Sequence, residues 1–146
     1  MKNVAHILQS KPDTTVHSVT PATSMFEAIT LMAAKNIGAL LVIEGETIRG
    51  IVSERDYARK VILAGKSSRE TPVGDVMTSP VMYVGPTAST QECMALMTGK
   101  RLRHLPVLDE GKLLGMISIG DLVKDIISEQ SIMIEQLQHY ISGQSA

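Results

Sequence analysis

The sequence predicts a mixed α/β (α+β) fold built from two copies of one β-α-β-β-α unit, and three observations carry that prediction. The first is a pair of strand-to-helix turns, Gly50-Ile51-Val52-Ser53-Glu54-Arg55-Asp56 and Gly115-Met116-Ile117-Ser118-Ile119-Gly120-Asp121, set 65 residues apart. The second is a pair of hairpin patterns leading into those turns, residues 40–43 with 48–52 and residues 105–108 with 113–117, each around a short polar turn containing glycine. The third is that the same period holds along the chain without insertion: Pro86 matches Pro21, Ser89 and Glu92 match Ser24 and Glu27, and Met97 and Lys100 match Met32 and Lys35. Such a repeat implies two copies of a supersecondary unit too small to bury its own faces, so the halves are expected to pack together.

Taken in order, residues 3–8 form an apolar lead-in with Val4, Ile7 and Leu8 at helical spacing, ended by the breaker run Ser10-Lys11-Pro12-Asp13. Residues 15–19 are rich in β-branched side chains and predict a strand. Ser24 and Glu27 form a Ser-x-x-Glu capping box that opens a helix with Met25, Ala28, Ile29, Met32 and Ala33 on one face, fading at Asn36 and Gly38. The first hairpin and turn follow, then a helix from Glu54 to about Leu63. The polar run over 64–72 reads as the linker. After it, Val73, Val76 and Met77 repeat the first lead-in, residues 80–84 repeat the first strand, and the helix and hairpin return in the same order. The expected boundaries are therefore 1–63 for the first motif with its lead-in, 64–72 for the linker, 73–128 for the second motif and 129–146 for a helical extension. In the last helix, Leu122, Ile126, Met133, Leu137 and Tyr140 make an apolar seam that either caps the protein's own core or forms a dimer contact.

Composition bounds the function. With 146 residues, 44% hydrophobic and 20% charged, the chain can bury a real core, and neither a disordered nor a fibrous protein is favoured. A net charge of −1 and the absence of any strongly basic stretch exclude duplex nucleic acid as the main partner. Cys93 is the one cysteine, so an internal disulfide and a multi-cysteine metal site are excluded. His6, His17, His104 and His139 are spread without ligand-like pairing, and no nucleophile elbow, Walker loop or His-Glu-x-x-His pattern occurs, so no metal and no catalytic activity are expected. The longest apolar run near the middle, residues 39–43, falls far short of the roughly 20 residues that span a bilayer. The N-terminus lacks the apolar core of a signal peptide, so the expectation is a cytoplasmic protein without a membrane partner.

The twin turns carry the chemistry. A helix starting just beyond a strand points unpaired N–H groups and the positive end of its dipole above the sheet, where anions bind. Gly50 and Gly115 interrupt strands, which marks a bulge or the close approach of another backbone or a ligand. The carboxylates of Asp56 and Asp121 only accept hydrogen bonds, so they suit a cis-diol rather than a phosphate. The competing reading is that Ser-x-x-Asp is a helix cap worth about 1 kcal/mol.

In these features the chain resembles a tandem pair of cystathionine-β-synthase (CBS) motifs, a Bateman module. The resemblance rests on the twin Gly-x-x-Ser-x-x-Asp turns, on Pro21 and Pro86, on the Val-x-x-Val-Met-Thr run over 73–78, and on Arg103-His104-Leu105-Pro106-Val107. It implies two motifs packed about a pseudo-twofold axis, with clefts between them for adenosyl ligands: AMP, ADP, ATP, NAD or, as a weaker candidate, S-adenosylmethionine. It also implies a homodimer and an output to an effector protein, here a separate one, because the chain has the length of a stand-alone module. Carried over residue by residue, Ser53, Asp56, Ser118 and Asp121 would contact ribose and phosphate, with Gly50 and Gly115 beside them. Phosphate would be met by Arg103 and His104 in the second half and by Arg55 in the first, so the two sites are not equivalent. Adenine needs an apolar slot with backbone hydrogen bonds, for which Val16 and Val81 at the strand entries are candidates. The leading expectation is an adenine-nucleotide-binding regulatory module for energy or redox sensing. The alternative is an interaction or dimerisation scaffold that ignores nucleotide.

Overall fold

The computed structural model describes residues 3–144, with side chains through residue 141. Its chain order is α1 (Val4–Ser10), β1 (Ser18–Val19), α2 (Met25–Lys35), β2 (Ala39–Glu44), β3 (Thr47–Ser53), α3 (Glu54–Tyr57, continued by a π-helical turn over Ala58–Ile62), a 3-10 turn (Val73–Asp75), α4 (Thr90–Lys100), β4 (His104–Asp109), β5 (Lys112–Ser118) and α5 (Ile119–Gln144). The mixed α/β class and the repeated unit are those the sequence predicts. Among the described residues no helix is long and apolar enough to cross a membrane, and no group of three His, Cys, Asp or Glu is placed to hold a metal ion.

The chain forms two compact units, and they divide it differently from the sequence halves. One comprises Thr15–Met82; the other joins the segment through Thr14 to everything from Tyr83 onward. Each hairpin is therefore covered by a lead-in that precedes the other half in sequence. Burial explains why. Val4 and Ile7 of α1 are almost wholly buried with Cys93, Met97, Leu105, Val107, Ile117 and Leu122. The Val4 and Ala5 N–H groups donate to the Ala88 and Pro86 carbonyls at 2.9 and 3.0 Å. In the Thr15–Met82 unit, Val73 and Val76 close a core of Met25, Ala28, Met32, Leu40, Val42, Val52 and Val61. There the Val73 and Gly74 N–H groups donate to the Thr23 and Pro21 carbonyls at 2.7 and 2.9 Å.

Both hairpins carry the same irregularity. β2 pairs antiparallel with β3 with a register shift between Val42 and Ile43, and β4 pairs with β5 with the equivalent shift between Val107 and Leu108. The predicted first strands are shorter than expected. β1 pairs parallel with β2 only through Ser18↔Leu41 and Val19↔Val42. That register leaves β2 only Ala39 and Leu40 further back, so Thr15 meets no ladder, and β-branched composition makes no strand without a neighbour to pair with. The predicted strand over 80–84 reduces to one parallel bridge, Val84↔Val107. Pro80 has no N–H to give a ladder.

Gly50 and Gly115 are needed where the lead-ins cross the hairpins. A Cβ on Gly50 would stand 2.7 Å from Met77 Sδ and 2.9 Å from the Thr78 carbonyl oxygen, whereas one on Gly115 would stand 2.9 Å from Leu8 Cδ2. At Gly50 a backbone is in the way, and it is tied there because Ile51 and Thr78 exchange N–H···O bonds of 3.1 and 2.8 Å. At Gly115 only the tip of a leucine must turn. Gly50→Ala is therefore expected to destabilise the fold by about 1–3 kcal/mol and Gly115→Ala by less. Chemical denaturation of the two variants checks this; an equal or reversed order would contradict it.

Candidate functional site

Each organising turn closes as a reciprocal capping box. In the first, Ser53 Oγ accepts from the Asp56 N–H at 3.2 Å, while Asp56 Oδ2 accepts from the Ser53 N–H at 2.9 Å and the Ser53 hydroxyl at 3.1 Å. In the second, Ser118 Oγ accepts from the Asp121 N–H at 3.1 Å and Asp121 Oδ2 accepts from the Ser118 N–H at 2.8 Å. The Glu54 and Ile119 N–H groups donate to the Gly38 and Arg103 carbonyls at 3.0 and 2.9 Å. Two of the first three N–H groups of each helix are thus committed within the chain, which narrows the anion site expected from a bare helix start. What remains is a fixed, half-buried carboxylate at the mouth of each turn.

The two carboxylates have different cations. Asp56 Oδ1 receives Lys60 Nζ at 3.3 Å across one helical turn, and Lys60 also donates to the Val76 carbonyl at 3.0 Å. Asp121 Oδ2 receives Lys11 Nζ at 3.0 Å, and Lys11 also donates to the Met116 carbonyl at 2.8 Å. Lys11 is the residue that sequence reasoning passed over as part of a breaker run. It reaches the second turn because α1 packs on β5 and α5. No local signal in the sequence marks it, because its role depends on the seating of α1 against the hairpin of the other half.

Of the predicted site residues, Ser118, Asp121, Gly115, Arg103 and His104 are gathered in one unit, with Lys11 added. His104 sits directly across the hairpin from Ser118. Burial pushes its imidazole below the ordinary value; Asp121 pulls it back up, and Lys11 and Arg103 push it down. Ser53, Asp56, Gly50 and Arg55 belong to the other unit, where Arg55 is exposed and the residues matching Arg103 and His104 are Gly38 and Ala39. Val16 and Val81 are half-buried and both lie in this same unit. The close approach at Gly50 and Gly115 is made by the chain's own Met77, Thr78 and Leu8. Cys93 is a buried core thiol whose ionisation burial pushes upward, so it offers no nucleophile.

The depressed His104 has a measurable consequence. Below 6.5 the unfolded chain takes up a proton that the folded chain resists, so stability is full above that pH and falls as pH drops through the folded value. The melting temperature of His104→Asn is expected to lose less between neutral pH and pH about 5 than that of the unchanged protein. Parallel slopes in the two proteins would show that His104 is not the titrating group.

Comparison with known proteins fits this geometry. The family model for the CBS domain matches twice, over residues 4–62 and 73–128. A protein with CBS domains from Burkholderia ambifaria MC40-6 is similar in structure with a TM-score of 0.86 and 59% identity, over 88% of this chain and 96% of that one. The mitochondrial CBS domain-containing protein CBSX3 of Arabidopsis thaliana is 39% identical over 82% of this chain, which spans 61% of that protein's length. CBSX2, solved in complex with AMP, aligns with a TM-score of 0.71 and 26% identity over 89% of this chain and 99% of its own. The two family matches cover both copies of the repeat, and the chain accordingly belongs to the CBS domain family.

Proposed function

We propose that the chain is a regulatory module that binds an adenosyl nucleotide at the Asp121 turn, without turning it over, and passes occupancy to a partner protein or to its own assembly. The observation that carries this reading is the meeting of one fixed carboxylate with Lys11, Arg103 and His104 within a single compact unit. A ribose cis-diol donates two hydrogen bonds, which an acceptor-only carboxylate matches. Cations are the natural partners of phosphate oxygens. The Asp121 carboxylate takes the ribose; Lys11 exchanges part of its ion pair for phosphate, with Arg103 and His104 beside it. The AMP complex of CBSX2 supports an adenosyl ligand for this fold. AMP, ADP, ATP and NAD all present this combination of diol and phosphate; S-adenosylmethionine has the diol but no phosphate and ranks below them.

The Asp56 turn is a weaker second site. It has Arg55 and Lys60 but no counterpart of Arg103 and His104. A second reading, a scaffold indifferent to nucleotide, is favoured by one observation, the exposed apolar side chains of α5. Sedimentation with and without nucleotide separates the two, since the scaffold's assembly does not respond.

Calorimetry with AMP, ATP, NAD and adenosine tests the binding reading. Asp121→Ala is expected to weaken AMP by more than about tenfold, because losing a charged acceptor costs ~1.5–3 kcal/mol. Lys11→Ala is expected to narrow the preference for AMP over adenosine, while Asp56→Ala leaves the tighter site intact. No binding of any of these ligands at millimolar concentration would overturn the proposal.

A further inference from the structure

α5 runs 26 residues from Ile119, and the family match stops at residue 128, well before its midpoint. Up to Leu122 and Asp125 the helix is packed on its own unit. Beyond that it carries a row of large apolar side chains facing solvent. Ile127, Met133, Ile134, Leu137, Tyr140 and Ile141 are each more than half exposed. The seam left open by the sequence therefore does not cap the protein's own core past Ile126.

The pattern of that face specifies what covers it. Ile119, Val123, Ile126, Gln130, Met133, Leu137 and Tyr140 follow one another at alternating steps of four and three, the spacing of a coiled-coil seam. Ile127, Ile134 and Ile141 recur at steps of seven on one flank of it, widening the apolar stripe to about 100°. The acidic and basic residues between 126 and 141 are Glu129, Glu135 and His139, and none of them falls on the seam or on the isoleucine flank.

We propose that residues 126–141 of α5 pair antiparallel with the same segment of a second copy of this chain. In that orientation the isoleucine flank of one helix meets the isoleucine flank of the other: Ile134 faces its equivalent near the twofold axis, and Ile127 faces Ile141. Met133 packs against Leu137. Gln130 lies opposite Tyr140, so the one polar residue of the seam meets a phenolic hydroxyl able to bond its amide. A parallel pair would instead set Ile134 against Glu129 and stack Gln130 on itself. The antiparallel register puts no like charges across the contact.

Sedimentation equilibrium of the full chain tests the pairing. The unchanged protein is expected to show twice the mass of Leu137→Glu at micromolar concentration, with circular dichroism confirming that the variant is folded. Equal masses would overturn the proposal, whether both are monomers or both remain assembled. Orientation is read from disulfides: mixing Met133→Cys chains with Leu137→Cys chains should give a mixed disulfide on mild oxidation. A disulfide dimer formed by Leu137→Cys chains alone would place the helices parallel and overturn the antiparallel assignment.

Discussion

In both hairpins a short segment from elsewhere in the chain lies directly over a strand glycine, and the rest of each unit is arranged around that crossing. The space above Gly50 is filled by Met77 and Thr78, and the space above Gly115 by Leu8. The crossing closes the core, because Val73 and Val76 complete one apolar cluster and Val4 and Ile7 the other. It also delivers polar groups to the turns. Lys11 follows from the seating of α1, and Lys60 finds the Val76 carbonyl because the second lead-in lies within reach. A side chain larger than glycine at these two points would press on packing of near-crystalline density.

The turns then convert that packing into chemistry. A serine and an aspartate satisfy each other's backbone N–H groups, so the carboxylate is held in one orientation. Such preorganisation lowers the ordering cost of binding. The two copies differ in their surroundings. Around Asp121, a lysine, an arginine and a half-buried imidazole share one electrostatic neighbourhood, whereas Asp56 has a lysine one helical turn away. The same turn occurs twice, with different side chains around each copy.

Much of this was legible in the sequence because the relevant signals are local. The hairpins, the serine caps of α2 and α4, and the two Ser-x-x-Asp turns all follow from residue types at short spacing. What escaped was non-local. The β-branched run over 15–19 could not reveal that its partner strand starts at Ala39, and the exchange of lead-ins between halves leaves no trace in periodicity. Lys11 was invisible for that reason, since its role depends on where α1 docks rather than on its neighbours in sequence. The glycines were recognised as marks of close approach, but the approaching group is the protein itself. The apolar seam of α5 was readable as a pattern, and only burial could decide that its outer half faces away from the core.

In the proposed complex a nucleotide phosphate lies beside Lys11, Arg103 and His104 at the Asp121 turn. The most direct measurement is an NMR titration of the His104 imidazole across pH, with and without saturating AMP. A phosphate dianion beside the ring favours the charged form, so the account predicts that AMP raises the depressed His104 pKa. An imidazole whose titration is unmoved while AMP binds would place the phosphate elsewhere and contradict the account.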